Sequence, residues 1–170
     1  MNSFYALPLG TVFVVIVLAI ITWTGLELIT NKNKKFRKWW RYANKLFFIG
    51  AVLIIVKMTL LGRSGGQRMV ELMPFHTFTT MSYNNEAIRT LLMNVVLFLP
   101  LGLTLPYIFE YISNDRRRWL YCFTVGGCIS VGVEVLQYYL TIGLAETDDV
   151  ICNLLGCGLG ILANVLGRRL

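Results

Sequence analysis

The run GGCISVGVEVLQYYLTIGLAETDDVICNLLGCGLGILANVLG, residues 126–167, decides how the rest of the chain is read. On a helix, Gly127, Ser130, Glu134, Gln137 and Thr141 recur at steps of three and four and share one face. Asn153, Gly156, Gly160, Ala163 and Gly167 do the same in the second half, and the acidic turn Glu146-Thr147-Asp148-Asp149 joins the two. The expectation is a helical hairpin whose small and polar faces meet, with a polar mouth in an otherwise apolar protein.

Composition sets the solvent. A chain of 170 residues that is 56% hydrophobic and only 15% charged, with mean hydropathy +0.62, is too apolar for a water-soluble domain. The fold class is therefore all-α, a polytopic integral membrane helical bundle. Its net charge of +7 sits in short basic blocks between apolar runs, the distribution the positive-inside rule produces, and this excludes nucleic acid as partner. Cys122, Cys128, Cys152 and Cys157 form no CxxC pair and read as small buried hydrophobes.

Working outward, five runs are apolar enough to cross a bilayer: residues 9–29, 46–61, 91–112, 119–140 and 150–166. No Lys or Arg precedes the first, which reads as a retained span and not a removable signal peptide. Residues 31–45, rich in Lys and Arg with Trp39, Trp40 and Tyr42 among them, read as a basic cytoplasmic loop at headgroup level, with an amphipathic interfacial helix as its ordered form. Residues 1–45 thus make an extra N-terminal span and loop, and 46–170 the main membrane domain, within a single structural unit. Loop 62–90 carries breakers at Gly65-Gly66, Pro74 and Asn84-Asn85, and its apolar segment 71–78 is expected to dip into the interface. Pro100 and Pro106 are expected to kink the third span. Loop 31–45, loop 113–118 and the C-terminal tail hold twelve of the 16 Lys and Arg, so the N-terminus reads as outside and the C-terminus as cytoplasmic.

With that threading, Asn94 and Asn153 lie roughly 5 Å below the outer end of their helices, and Glu134 and Gln137 roughly 5 to 10 Å. Arg63, Arg68, Arg89, His76, Glu146, Asp148 and Asp149 lie just above them. A carboxylate in hydrocarbon costs about 3 kcal/mol or more, so Glu134 needs partners, and an outward-facing polar cavity is inferred. Asn153, Gln137, Gly127, Ser130, Gly156 and Gly160 also fit plain helix packing, the last two as a GxxxG pair. Three acids at one mouth exceed what packing requires; Glu134, Asp148 and Asp149 read as a ligand or divalent-cation site. Lys57 reads as a snorkelling residue, with a place in the polar mouth as its alternative, and His76 as an interfacial residue, with a general base as its alternative.

Five motifs, in order, resemble the VanZ-like family: Leu60-Leu61-Gly62-Arg63; Met73-Pro74-Phe75 with Thr77-Phe78; Asn94 through Gly102; Glu134-Val135-Leu136-Gln137; and Glu146 through Asn153 with Gly156 and Gly160. They span roughly residues 50–166. The chain departs from the commoner pattern at Glu71, His76, Gly143 and Glu146, keeping the acids and losing two cations. The resemblance implies a multi-pass protein of the bacterial cell membrane, from a family named after a member linked to teicoplanin resistance. It directs attention to Arg63, Pro74, Phe75, Asn94, Glu134, Gln137, Glu146, Asp148, Asp149 and Asn153 as ligand-binding residues.

Three functions fit. The first is a non-enzymatic binder of a membrane lipid, a lipid-linked cell-wall precursor or a lipoglycopeptide. The second is an intramembrane enzyme acting on a lipid-linked phosphate, with Glu134 as general base and a divalent cation on Asp148 and Asp149. Ser64, Ser82 and Thr77 have no visible base partner, so this reading lacks a nucleophile. The third is a transporter subunit, which would need a homo-oligomer because five spans without an inverted repeat are few.

Overall fold

Runs of twenty and more apolar residues fold as helices because no backbone group can be left unpaired in hydrocarbon. The computed structural model describes residues 8–61, 69–76 and 85–169. It has five helices long and apolar enough to cross a membrane. They are α1 (Leu9–Lys32), α2 (Lys34–Val56), α3 (Asn85–Ile108), α4 (Asp115–Leu140) and α5 (Thr147–Arg169).

Helix α3 is the axis of the bundle. Leu91, Met93, Leu97, Phe98, Leu101 and Leu105 are all buried along it. One apolar cluster joins it to α2, α4 and α5 through Ile55, Cys122, Val133, Cys157 and Ile161, and a second joins it to α1 and α5 through Val12, Ile16, Cys152 and Ala163. Its closest neighbour is α5. A Cβ at Gly156 would overlap the carbonyl of Val95, one at Gly160 that of Leu99, and one at Gly102 that of Cys157. The glycine face of α5 therefore meets α3, and the expectation that it meets α4 is corrected. Only Gly156, Gly160 and Gly102 allow this backbone-to-backbone approach, whereas α4 is reached through side chains: Asn153 Nδ2 donates to Ser130 Oγ at 3.0 Å and Gly127 lies against Leu154.

Other differences have similarly local causes. The basic stretch expected as a loop is the first half of α2, separated from α1 by Asn33 alone, whose side chain accepts from the Lys35 and Phe36 N–H groups at 3.1 and 3.4 Å. Trp40, Asn44, Phe48, Ala51, Ile55 and Thr59 recur at steps of three and four and face inward, which holds Lys35, Arg37, Lys38, Arg41 and Lys45 outward on a continuous helix. Helix α2 passes into a π-helical turn at Lys57–Leu61, where Lys57 is exposed. Helix α3 continues through Pro100 and Pro106, and Thr104 Oγ1 returns a hydrogen bond to the Pro100 carbonyl at 2.8 Å. The expected burial of all four cysteines holds for Cys122, Cys152 and Cys157, but Cys128 is exposed on the outer flank of α4.

Two short strands break the all-helical pattern. Strand β1 (Met69–Glu71) pairs in parallel with β2 (Leu144–Glu146), in the register Met69 to Leu144, Val70 to Ala145 and Glu71 to Glu146. The interfacial segment before α3 and the acidic turn before α5 are thereby one ladder.

Candidate functional site

The acidic end of the bundle is built where this ladder meets α4 and α5. The chain leaves α4 through Thr141, whose left-handed φ of 55° ends the helix, and Ile142 N–H bonds back to the Gln137 carbonyl at 3.1 Å. It then runs through β2 straight into α5, so Asp148 and Asp149 fall in the first helical turn, where unpaired N–H groups and the helix dipole favour negative charge. Both are nearly sealed, at 2% and 6% exposure, and Glu134 is 7% exposed.

Two of these acids, Asp148 and Glu134, are tied to the backbone of a neighbouring segment. Asp148 accepts from the Phe75 N–H at 2.6 Å, and Phe75 holds a positive φ of 64° in the turn after β1. Glu134 Oε2 accepts from the Glu146 N–H at 3.1 Å, clamping β2 onto α4. Thr147 Oγ1 donates to the Glu71 carbonyl at 3.3 Å. Glu71 in turn accepts from the Met73 N–H at 3.1 Å and lies 3.8 Å from His76 Nδ1.

The amides complete this end. Gln137 Nε2 donates to the Thr59 carbonyl at 3.2 Å, linking α4 to the π-helical turn. Among the described residues, Asn94 Nδ2, Gln137 Oε1 and Asn153 Oδ1 are buried with no hydrogen-bond partner. Pro74 and Phe75 are exposed beside the Asp148 contact, and Asn94 is buried on α3. Arg63 lies outside the described residues, as do Arg68, Ser64, Ser82 and Thr77. Among the described residues no group of three His, Cys, Asp or Glu side chains is placed to hold a metal ion. Glu134 reaches β2, whereas Asp148 reaches the turn after β1.

The opposite, basic end holds a second polar cluster that the motif reading misses. Glu27 on α1 is 1% exposed and accepts from Trp40 Nε1 at 2.6 Å, from Arg168 Nε at 3.2 Å and from the Tyr107 hydroxyl. Arg168 also lies over the Tyr107 ring, 4.3 Å from its centroid. The available signal was Glu27 itself, a lone carboxylate inside an apolar span that needs partners for the same reason as Glu134.

A family model described as VanZ/LLP1 matches residues 11–167, taking in α1 and the basic half of α2 together with the motif-bearing helices. No curated protein and no solved structure matches the chain.

Proposed function

The chain belongs to the VanZ/LLP1 family and is a multi-pass membrane protein, and on that premise we propose that its acidic end binds the polar head of an envelope amphiphile. In this reading it sits in the bacterial cell membrane with the acidic end outward, as the distribution of Lys and Arg favours. The ligand is a lipid-linked cell-wall precursor or a lipoglycopeptide, and the role is in glycopeptide resistance or envelope homeostasis.

One observation carries the reading. Three carboxylates, each 2% to 7% exposed, share one end of the bundle with three buried amides that each keep one polar atom unbonded among the described residues. Buried polar atoms are normally paired, and a head group bearing amines, hydroxyls and carbonyls supplies partners of both kinds. Binding is favoured over catalysis because Glu134 and Asp148 each accept a backbone N–H, which holds them as fixed acceptors.

Native mass spectrometry of the purified chain after exposure to a bacterial lipid extract tests this. A retained envelope amphiphile whose occupancy falls about tenfold in Asn153→Ala, the loss of roughly one buried hydrogen bond to a polar head, is the expected result. Retention of none, or occupancy untouched by both Asn153→Ala and Gln137→Ala, refutes it.

A further inference from the structure

A cleft of about 470 Å³ opens at the basic end, and all five helices contribute to it: Glu27 from α1, Arg37 and Arg41 from α2, Tyr107 from α3, Arg118 from α4, and Arg168 and Arg169 from α5. Among the described residues every cation lining it is an arginine. Two of the lysines at this end, Lys38 and Lys45, line a neighbouring groove that shares Arg37 and Arg41 with the cleft. The positive-inside rule accounts for basic residues at a membrane face, but it is met equally by Lys and asks for no convergence. Of its five guanidinium groups, Arg41 pairs with Glu110 at 3.3 Å, Arg118 with Asp115 at 3.2 Å and Arg168 with Glu27 at 3.2 Å, whereas Arg37 and Arg169 have no carboxylate partner among the described residues, so the cleft keeps an excess of positive charge that an anion would offset.

The arginines are also held in place. Arg168 is fixed by Glu27 and the Tyr107 ring, Arg169 lies over the Trp119 ring at 4.7 Å, and Arg118 donates twice to the Ile112 carbonyl at 2.9 and 2.7 Å. A guanidinium has five N–H donors, so each retains several for a ligand. Arg168 Nη2 is buried with no hydrogen-bond partner among the described residues, and Arg37 forms no ion pair among them. Glu27, the carboxylate at the cleft, is already bonded to Trp40, Tyr107 and Arg168. Planar, pre-oriented arginines match the oxygens of a phosphate two at a time.

We propose that this cleft binds a phosphate-bearing anion, either the head group of a membrane lipid or a free phosphate from the adjoining aqueous phase. Glu27 acts as a positioning residue that orients Arg168. This site is separate from the acidic end and stands or falls independently of the amphiphile reading.

The test uses the full chain in phosphatidylcholine nanodiscs. One arm titrates inorganic phosphate by calorimetry; the other counts phosphatidic acid molecules retained by native mass spectrometry from nanodiscs doped with that lipid. Saturable binding in the first arm identifies a soluble anion, and retention in the second alone identifies a lipid. In whichever arm binds, Arg37→Gln with Arg41→Gln weakens binding about tenfold or more. These two residues are exposed on α2 and lie outside the buried Glu27 cluster; the double variant gives up the half-exposed Arg41 contact to Glu110, which Lys45 also reaches, and keeps the fold. Lys35→Gln with Arg117→Gln removes the same charge from the same end outside the cleft and leaves binding largely intact. Absence of binding in both arms, or equal weakening by the two double variants, overturns the proposal.

Discussion

Glu27→Ala is the substitution whose cost the structure states most directly. The carboxylate is 1% exposed and takes hydrogen bonds from Trp40 Nε1 at 2.6 Å, from the Tyr107 hydroxyl and from Arg168 Nε at 3.2 Å. Breaking a buried ion pair by removing one partner costs about 3–5 kcal/mol, and each neutral donor left unpaired adds about 1–3 kcal/mol before relaxation. The Arg168 side chain is 26% exposed and regains water, which lowers the first figure, and contributions from one network do not add in full. The net expectation is about 4 kcal/mol for Glu27→Ala. Glu27→Gln keeps an acceptor oxygen and costs about 1–2 kcal/mol. The assay is unfolding in mixed micelles of rising SDS fraction, followed by tryptophan fluorescence, since the Trp23 and Trp40 rings pack at a tilt with centroids 5.3 Å apart beside the site. Midpoints for Glu27→Ala within about 0.5 kcal/mol of the parent, the range of an inert surface change, would refute the network as described.

Two further outcomes follow from the packing and from the acidic end. Gly156→Leu forces α3 and α5 apart at Val95 and costs about 3 kcal/mol or more in the same assay, whereas Gly158→Ala, whose Cβ would meet only the Phe123 ring at 3.5 Å, stays within about 1 kcal/mol of the parent. Asp148→Ala frees the Phe75 N–H and removes a charge from the first turn of α5, costing about 1–3 kcal/mol locally; hydrogen exchange should accelerate across residues 69–76 and 144–149 while residues 97–105 of α3 stay protected.

The spans were legible because the apolar runs are long enough to cross a bilayer and all but the first are flanked by charge on both sides. Residues 31–45 were misread because their lysines and arginines dominate composition, yet Trp40, Asn44 and Phe48 already carry the inward period that continues to Thr59. Gly156 and Gly160 advertised a close helix contact without naming its partner, since a small face fits α3 and α4 equally until volumes are compared. The pairing of Met69–Glu71 with Leu144–Glu146 was illegible: three-residue strands carry no periodicity, and their partners lie far apart in the chain. The acids of the candidate site were found from their cost in hydrocarbon, but their backbone partners at Phe75 and Glu146 depend on that ladder.

The ladder also imposes an order on biogenesis. The hydrogen bond from Phe75 to Asp148 closes a loop of 73 residues that contains two complete spans. At synthesis rates of roughly 5–20 residues per second, β1 waits on the order of 4–15 s for β2 to emerge, with its edge unpaired on the translocated or retained face. The acidic end is therefore latched only when α5 begins to emerge, and the basic end closes later still, when Arg168 reaches Glu27. A chain arrested after its fourth span would carry every helix of the central core except α5 and none of the closure that seals Asp148.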